Sequence, residues 1–209
     1  MQHRLIMIAI IDYGMGNLRS IHNALAKVGG NPVIISDSKS LSDLDADAVV
    51  IPGVGSFGDA MRNLAPFADG LLELVDSGTP LLGICIGMQV LFERSEESDV
   101  TGFGLIKGDV IRLPDGVKIP QMGWNELTLH RNNRNSDLLA GIDDGDFFYF
   151  VHSYYCVPED ERVIVATTDY GVDMAAVVEK DNIHAVQFHP EKSSKKGLLI
   201  LKNFVEMVT

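Results

Sequence analysis

Cys85 lies in the run Pro80-Leu81-Leu82-Gly83-Ile84-Cys85-Ile86-Gly87-Met88-Gln89, where an apolar stretch meets a glycine, a cysteine and a second glycine. This is the Gly-x-nucleophile-x-Gly spacing of a sharp strand-to-helix elbow, with sulfur in place of a hydroxyl. So tight a turn crowds its nucleophile, and side chains two positions to either side would clash, which accounts for Gly83 and Gly87. The turn exposes the sulfur at the carboxyl end of a sheet. It also sets the sulfur at a helix N-terminus, which favours the thiolate, and aims the Ile86 N–H where an oxyanion would form. The competing reading is a buried structural cysteine between two incidental glycines.

A thiol nucleophile needs a base, and six histidines are available: His3, His22, His130, His152, His184 and His189. His189 follows the apolar run Ile183–Phe188, and open α/β sheets place their sites at such strand ends. Glu191 follows across the stiff link of Pro190, where a carboxylate can fix the imidazole tautomer and stabilise the imidazolium. A lone His-Pro-Glu reads as a surface turn; paired with a cysteine elbow it reads as a triad in the order Cys, His, Glu. A third segment, Pro52-Gly53-Val54-Gly55-Ser56-Phe57-Gly58, follows another buried strand. No Gly-Lys-Ser/Thr follows it, so it is not a P-loop. It reads as a loop supplying a second oxyanion amide, with a plain tight turn as the alternative. Gly14-Met15-Gly16 lacks the third glycine of a dinucleotide turn, Arg19 standing there. Without Cys-x-x-Cys or His-x-x-x-His spacing, neither a metal nor another cofactor is expected. His152 reads as a core histidine or as part of the site wall, and Cys156 as buried and inert.

Strands and helices must hold these residues in place. The 209 residues are 46% hydrophobic and 22% charged, the profile of a soluble globular protein. Seventeen Lys and Arg against 29 Asp and Glu give a net charge of -12, which argues against nucleic acid or an anionic membrane as partner. Two cysteines are too few for a disulfide framework and read as reduced thiols. The apolar run Leu5–Ile11 is too short for a membrane span and lacks a small-residue cleavage site, so a folded, cytoplasmic chain is expected. Periodicity predicts strands over Leu5–Asp12, Pro32–Ser36, Ala48–Pro52 and Pro80–Ile84. Helices are predicted from Asn17 to the stop at Gly29-Gly30, over Leu64–Val75, and after Cys85 with Met88, Val90, Leu91 and Phe92. Later strands are expected over Val110–Leu113, Glu126–His130, Phe147–Val151, Val163–Thr168, Ala175–Glu179 and Ile183–Phe188, then a helix over Ser194–Met207. The fold class is α/β: an open mixed, mostly parallel sheet with helices on both faces, its later strands pairing partly antiparallel. No linker divides it, so residues 1–209 are read as one domain.

The cysteine elbow followed a hundred residues later by His189-Pro190-Glu191 resembles the class I, triad-type glutamine amidotransferases, which have a flavodoxin-like core. Six blocks narrow the resemblance: Asp12-Tyr13-Gly14-Met15-Gly16-Asn17-Leu18, Pro52-Gly53-Val54-Gly55-Ser56-Phe57, Gly83-Ile84-Cys85-Ile86-Gly87-Met88-Gln89, Met122-Gly123-Trp124-Asn125, Phe150-Val151-His152-Ser153-Tyr154 and Gln187-Phe188-His189-Pro190-Glu191-Lys192-Ser193. They look like the branch of that family that serves histidine biosynthesis. The resemblance implies hydrolysis of glutamine to glutamate and ammonia, and a heterodimer with a (β/α)8-barrel cyclase that consumes the ammonia. It makes Cys85 the nucleophile, His189 the base and Glu191 its orienter. Gly53 and Ile86 take the oxyanion positions, Gln89 contacts glutamine, and Glu97, Ser153 and Tyr154 hold the amino-acid end of the substrate. It further implies an oxyanion loop at Gly53-Val54 that stays misaligned until the partner binds its nucleotide. Val54 stands where most class I relatives have a second consecutive glycine, a mark of this branch. Pro120-Gln121 departs from the Pro-His that often precedes Met-Gly-Trp-Asn, in a segment that faces the cyclase in the family. Two competing readings stay open: a paralogue feeding a surface-sugar amidotransferase, and a thiol peptidase or chaperone on a similar core.

Overall fold

The computed structural model describes residues 6–130 and 136–208. His3 and Leu5, named above, lie outside the described residues. The first-half strands are β1 (Met7–Ile11), β2 (Asn31–Ile35), β3 (Ala48–Ile51) and β4 (Leu81–Ile84). Its helices are α1 (Leu18–Lys27), α2 (Ser38–Asp43), α3 (Phe57–Leu64), α4 (Ala68–Asp76) and the single turn α5 (Ile86–Gln89). The second half adds β5 (Arg94–Ser95), β6 (Gly108–Arg112), β7 (Gln121–Glu126), β8 (Thr128–Leu129), β9 (Phe147–His152) and β10 (Tyr154–Pro158). It ends with β11 (Ile164–Asp169), β12 (Asp173–Lys180), β13 (Ile183–Val186) and α6 (Ser194–Met207).

Eight strands form one sheet in the order β2-β1-β3-β4-β13-β12-β11-β8. The first five run parallel and the last three alternate antiparallel, the open mixed sheet expected from the sequence. β3 and β4 read as unbroken apolar runs because they are buried on both faces. Alternate residues feed two cores. Ile8, Ile10, Val50, Leu82 and Ile84 pack with Ile21 and Leu25 of α1 and Ile200 and Phe204 of α6. Ala9, Ile11, Val49, Ile51 and Leu81 pack with Leu41, Phe57, Leu64 and Leu71 of α2, α3 and α4. Each such large side chain contributes about 2 kcal/mol relative to solvent exposure. Helices therefore cover both faces, and the carboxyl ends of β1, β3, β4 and β13 open toward one rim. A separate ribbon of β7 and β9, and a three-stranded sheet β10-β6-β5, stand beside that rim.

Several expectations need correction. The helix predicted over Leu64–Val75 begins only at Ala68 as α4, and α3, which ends at Leu64, is a separate helix that the sequence reading missed. Pro66 between them has no N–H to continue the ladder, and the chain makes a 3₁₀ turn over Ala65–Phe67. The helix after Cys85 stops at Gln89, so Val90, Leu91 and Phe92 lie beyond it. Their carbonyls instead accept from a loop further on: Phe103 N–H donates to Val90 at 2.8 Å, Ile106 to Leu91 at 3.0 Å and Gly104 to Phe92 at 3.2 Å. Glu126–His130 supplies only the two-residue β8, whereas Gln121–Glu126 is a strand that the sequence reading missed, as it missed β10 and α2. Among the described residues no helix is long and apolar enough to cross a membrane, and no group of three or more His, Cys, Asp or Glu is placed to hold a metal ion.

Candidate active site

Cys85 stands at the end of β4 with φ 55° and ψ -109°, in the left-handed region that a non-glycine residue occupies only when its surroundings force it. The forcing is backbone on all sides. Cys85 N–H donates to Val186 of β13 at 2.8 Å. A Cβ on Gly83 would lie 2.5 Å from the Gly87 carbonyl oxygen, and one on Gly87 would run into the carbonyl of Ile51 at the end of β3. Both elbow glycines are thus required for space. Ile86 opens α5, so its amide has no acceptor within the helix. Because α5 is one turn, the helix field on the sulfur is weaker than the long predicted helix would supply. The sulfur takes a hydrogen bond from Gln187 Nε2 at 3.7 Å, and as a thiol donates to Val151 O at 3.7 Å.

β13 ends at Val186, and three residues later His189 reaches the same rim with 2% of its surface exposed. Its main chain is clamped: the amide donates to Tyr149 O of β9 at 2.9 Å, and the Ser193 hydroxyl donates to its carbonyl at 2.6 Å. The same hydroxyl accepts from Tyr149 N–H at 2.9 Å. Glu191 Oε1 lies 2.9 Å from His189 Nδ1 and fixes the proton there. Nε2, left to the cysteine side, is buried without a hydrogen-bond partner. Burial alone would lower the imidazole pKa. Its polar contacts with Cys85 and with Glu191, and after them the negative charges of those groups, outweigh that and raise it to about 9.

The loop after β3 approaches from the other side. Gly53 does not occupy the left-handed region; it is glycine for room, since a Cβ would meet the Tyr13 hydroxyl and lie 2.9 Å from Ile86 Cβ. Tyr13, 5% exposed, donates its hydroxyl hydrogen to Pro52 O at 2.6 Å and so tethers the start of this loop. Burial and the nearby Cys85 both raise its pKa. Val54, one residue on, is 38% exposed.

Between these segments lies a cavity of about 380 Å³. Cys85, Ile86, Gln89, Glu97, Ser153 and Tyr154 line it, so six of the nine residues named from the sequence share one wall. His189 and Glu191 sit behind the cysteine, and Gly53 behind Val54. Gln89 is 2% exposed and both its amide hydrogens are engaged, one by Tyr154 O at 2.9 Å and one by Gln187 Oε1 at 3.2 Å. Only its carbonyl oxygen is left for a ligand. Glu97 Oε2 accepts the first amide of α3, from Phe57, at 2.7 Å, which leaves Oε1 toward the cavity wall. Sequence reasoning gave no role to Tyr13, Gln187 or Lys192. Tyr13 and Gln187 each follow a buried strand at its carboxyl end, the one signal that singles them out; Lys192 joins the cavity wall through the turn after His189.

Cys156 is 1% exposed in β10, and burial, with the charge of Cys85, pushes its thiol up. His152 is 6% exposed at the end of β9 and lines the cavity. Burial lowers its pKa to about 4, against a hydrogen bond to Tyr154 O and with the help of charge on His189. On the outer face of the ribbon, Met122, Trp124 and Phe147 are 64%, 52% and 54% exposed.

Comparison with known proteins gives the family and the fold. The family model described as "Glutamine amidotransferase class-I" matches residues 9–208. The imidazole glycerol phosphate synthase subunit HisH of Methanothermobacter thermautotrophicus is 54% identical over 203 residues, 97% of this chain and 99% of the relative. The protein of the same name from Aquifex aeolicus is 50% identical over 198 residues, 93% of this chain and 94% of the relative. A crystal structure of a glutamine amidotransferase superposes with TM-score 0.74 at 18% identity, covering 96% of this chain and 98% of that one. PurLQS from Thermotoga maritima gives TM-score 0.75 at 20% identity, over 99% of this chain and 100% of that one. At such identity the two solved structures speak for the fold alone.

Proposed function

The chain belongs to the class I glutamine amidotransferase family, and on that premise we propose that Cys85, His189 and Glu191 are the triad with which it hydrolyses glutamine. It is an enzyme, and its work is that of the glutaminase subunit of imidazole glycerol phosphate synthase, as in the full-length relatives at about half identity. The observation that carries the site assignment is the elbow sulfur and the buried His189–Glu191 pair converging behind one cavity.

The chemistry follows from the groups. Cys85, its proton passed to His189 Nε2, attacks the carbon of the substrate amide. Ile86 N–H and an amide of the Gly53–Val54 segment stabilise the oxyanion, each aligned donor contributing roughly 3 kcal/mol. As the carbon–nitrogen bond breaks, His189 gives its proton to the nitrogen and ammonia leaves. Water, deprotonated by His189, then cleaves the glutamyl thioester and releases glutamate and the thiol. Glu191 keeps Nδ1 protonated throughout, and Glu97, Ser153, Tyr154 and the Gln89 carbonyl hold the rest of the substrate.

The partner is read as a (β/α)8-barrel cyclase in a cytoplasmic heterodimer, docking on the exposed Met122–Trp124 side of the ribbon. The support is an apolar face otherwise left to solvent and the position of Pro120, just before that face, in the cavity wall. Release of glutamate from glutamine, assayed with and without cyclase and its nucleotide, tests the reading. Turnover of the chain alone should be low and should rise strongly on assembly. Peptide cleavage without glutamine hydrolysis would refute it.

A further inference from the structure

Next to the triad, two buried polar side chains are left with the same need. Gln121 and His152 stand directly opposite each other in the β7–β9 ribbon, so their side chains share its inner face. They are 2% and 6% exposed, and Gln121 Oε1 and His152 Nε2 each lack a hydrogen-bond partner. His152 Nδ1 lies 2.9 Å from the Tyr154 carbonyl, which can only accept, so the ring proton is on Nδ1 and Nε2 presents a lone pair. With the Gln121 amide turned so that its carbonyl oxygen is the buried atom, both orphan atoms are acceptors and leave each other unsatisfied. Buried acceptors of this kind call for a small donor.

Reading the chain as a glutaminase, we propose that Gln121 and His152 form a binding site for ammonia in transit from Cys85 toward the partner. The pair occupies the right place. Val151, adjacent to His152, receives the Cys85 thiol hydrogen bond, and Pro120, adjacent to Gln121, lines the reaction cavity. Met122, on Gln121's other side, belongs to the exposed face. The chemistry suits the cargo. Ammonia offers three N–H donors, and two acceptors without an acidic proton hold it while leaving it the unprotonated nucleophile that a following amination needs. A protonated imidazole here would convert it to ammonium. Burial, which keeps His152 neutral down to about pH 4, prevents that.

The test uses the assembled glutaminase–cyclase complex and reads the ratio of cyclised product to glutamate, with added ammonium chloride as a separate ammonia source to normalise cyclase competence. Gln121→Met keeps length and packing but removes the acceptor. The product-to-glutamate ratio should fall about two- to ten-fold, the effect of one net hydrogen bond on where ammonia goes. Gln121→His, which restores an acceptor, should keep the ratio near that of the wild type. A wild-type ratio in Gln121→Met and in His152→Phe would mean the pair holds only water, and would overturn the proposal. So would a loss in Gln121→His as large as that in Gln121→Met. A wild-type complex that released no glutamate would instead overturn the glutaminase reading itself, and this proposal with it.

Discussion

The elbow around Cys85 and the loop around Gly53 border the same cavity but are held in unlike ways. The elbow is wedged by backbone: Val186 O binds the Cys85 amide, and the Ile51 and Gly87 carbonyls leave no room for side chains at 87 and 83. The Gly53–Val54 segment is tethered at its start by the Tyr13 hydroxyl on Pro52 O and then emerges into solvent at Val54. The difference teaches where adjustment can occur. A nucleophile that must stay poised is built from steric necessity. On the proposed function, the oxyanion donor that the partner brings into line lies on the less constrained segment, where a bias of about 3 kcal/mol changes the rate by roughly two orders of magnitude.

The heaviest blow to this contrast is Cys85→Ala, which should lower glutamine hydrolysis by about 10⁴-fold or more. Circular dichroism should show the fold unchanged, and cyclisation from external ammonium should persist. Wild-type glutamate release would refute the elbow's role outright. Glu191→Gln comes next. Turnover should drop by roughly 10² to 10⁴-fold, less than in His189→Ala, because the carboxylate orients the base without transferring its proton. Equal turnover of Glu191→Gln and wild type in steady-state assays would remove Glu191 from the triad.

Tyr13→Phe addresses the loop alone. Losing one buried hydrogen bond of about 1 kcal/mol should change turnover and the activation by the partner by about five-fold, with KM for glutamine little altered. An equal effect on the reactivity of Cys85 would mean that the loop and elbow are one unit. The smallest expected effect is the sharpest. Iodoacetamide, which needs no oxyanion hole, should alkylate Cys85 at rates within about two-fold with or without the partner, and leave Cys156 unmodified. Mass spectrometry showing strong acceleration of Cys85 labelling by the partner would place the adjustment in the elbow.

What could be read ahead of the structure was what is local. The elbow announces itself within ten residues because its glycines and nucleophile are contiguous, and His189-Pro190-Glu191 does so because a buried strand delivers it. Contacts made at long range were hidden. The early stop of α5 depends on loop amides from residues 103–106, and the anchor of Glu97 on Phe57 crosses 40 positions. The Tyr13–Pro52 tether crosses 39. β7 escaped notice for another reason. Gly123 interrupts it, and its alternation is inverted to the eye, with Met122 and Trp124 facing solvent and Gln121 facing inward. A ribbon that turns its large apolar side chains to solvent reads as neither a core strand nor a loop.

The Ser193 hydroxyl carries a consequence for anyone transplanting parts of this molecule. It accepts from Tyr149 N–H in β9 and donates to the carbonyl of His189, so the hairpin and the imidazole are spliced through one oxygen atom. A chimaera that exchanges residues 121–152 for a hairpin from another scaffold must bring an amide to the place of Tyr149. Without it, the graft arrives with the base's own support unseated, although no residue of the triad has been replaced.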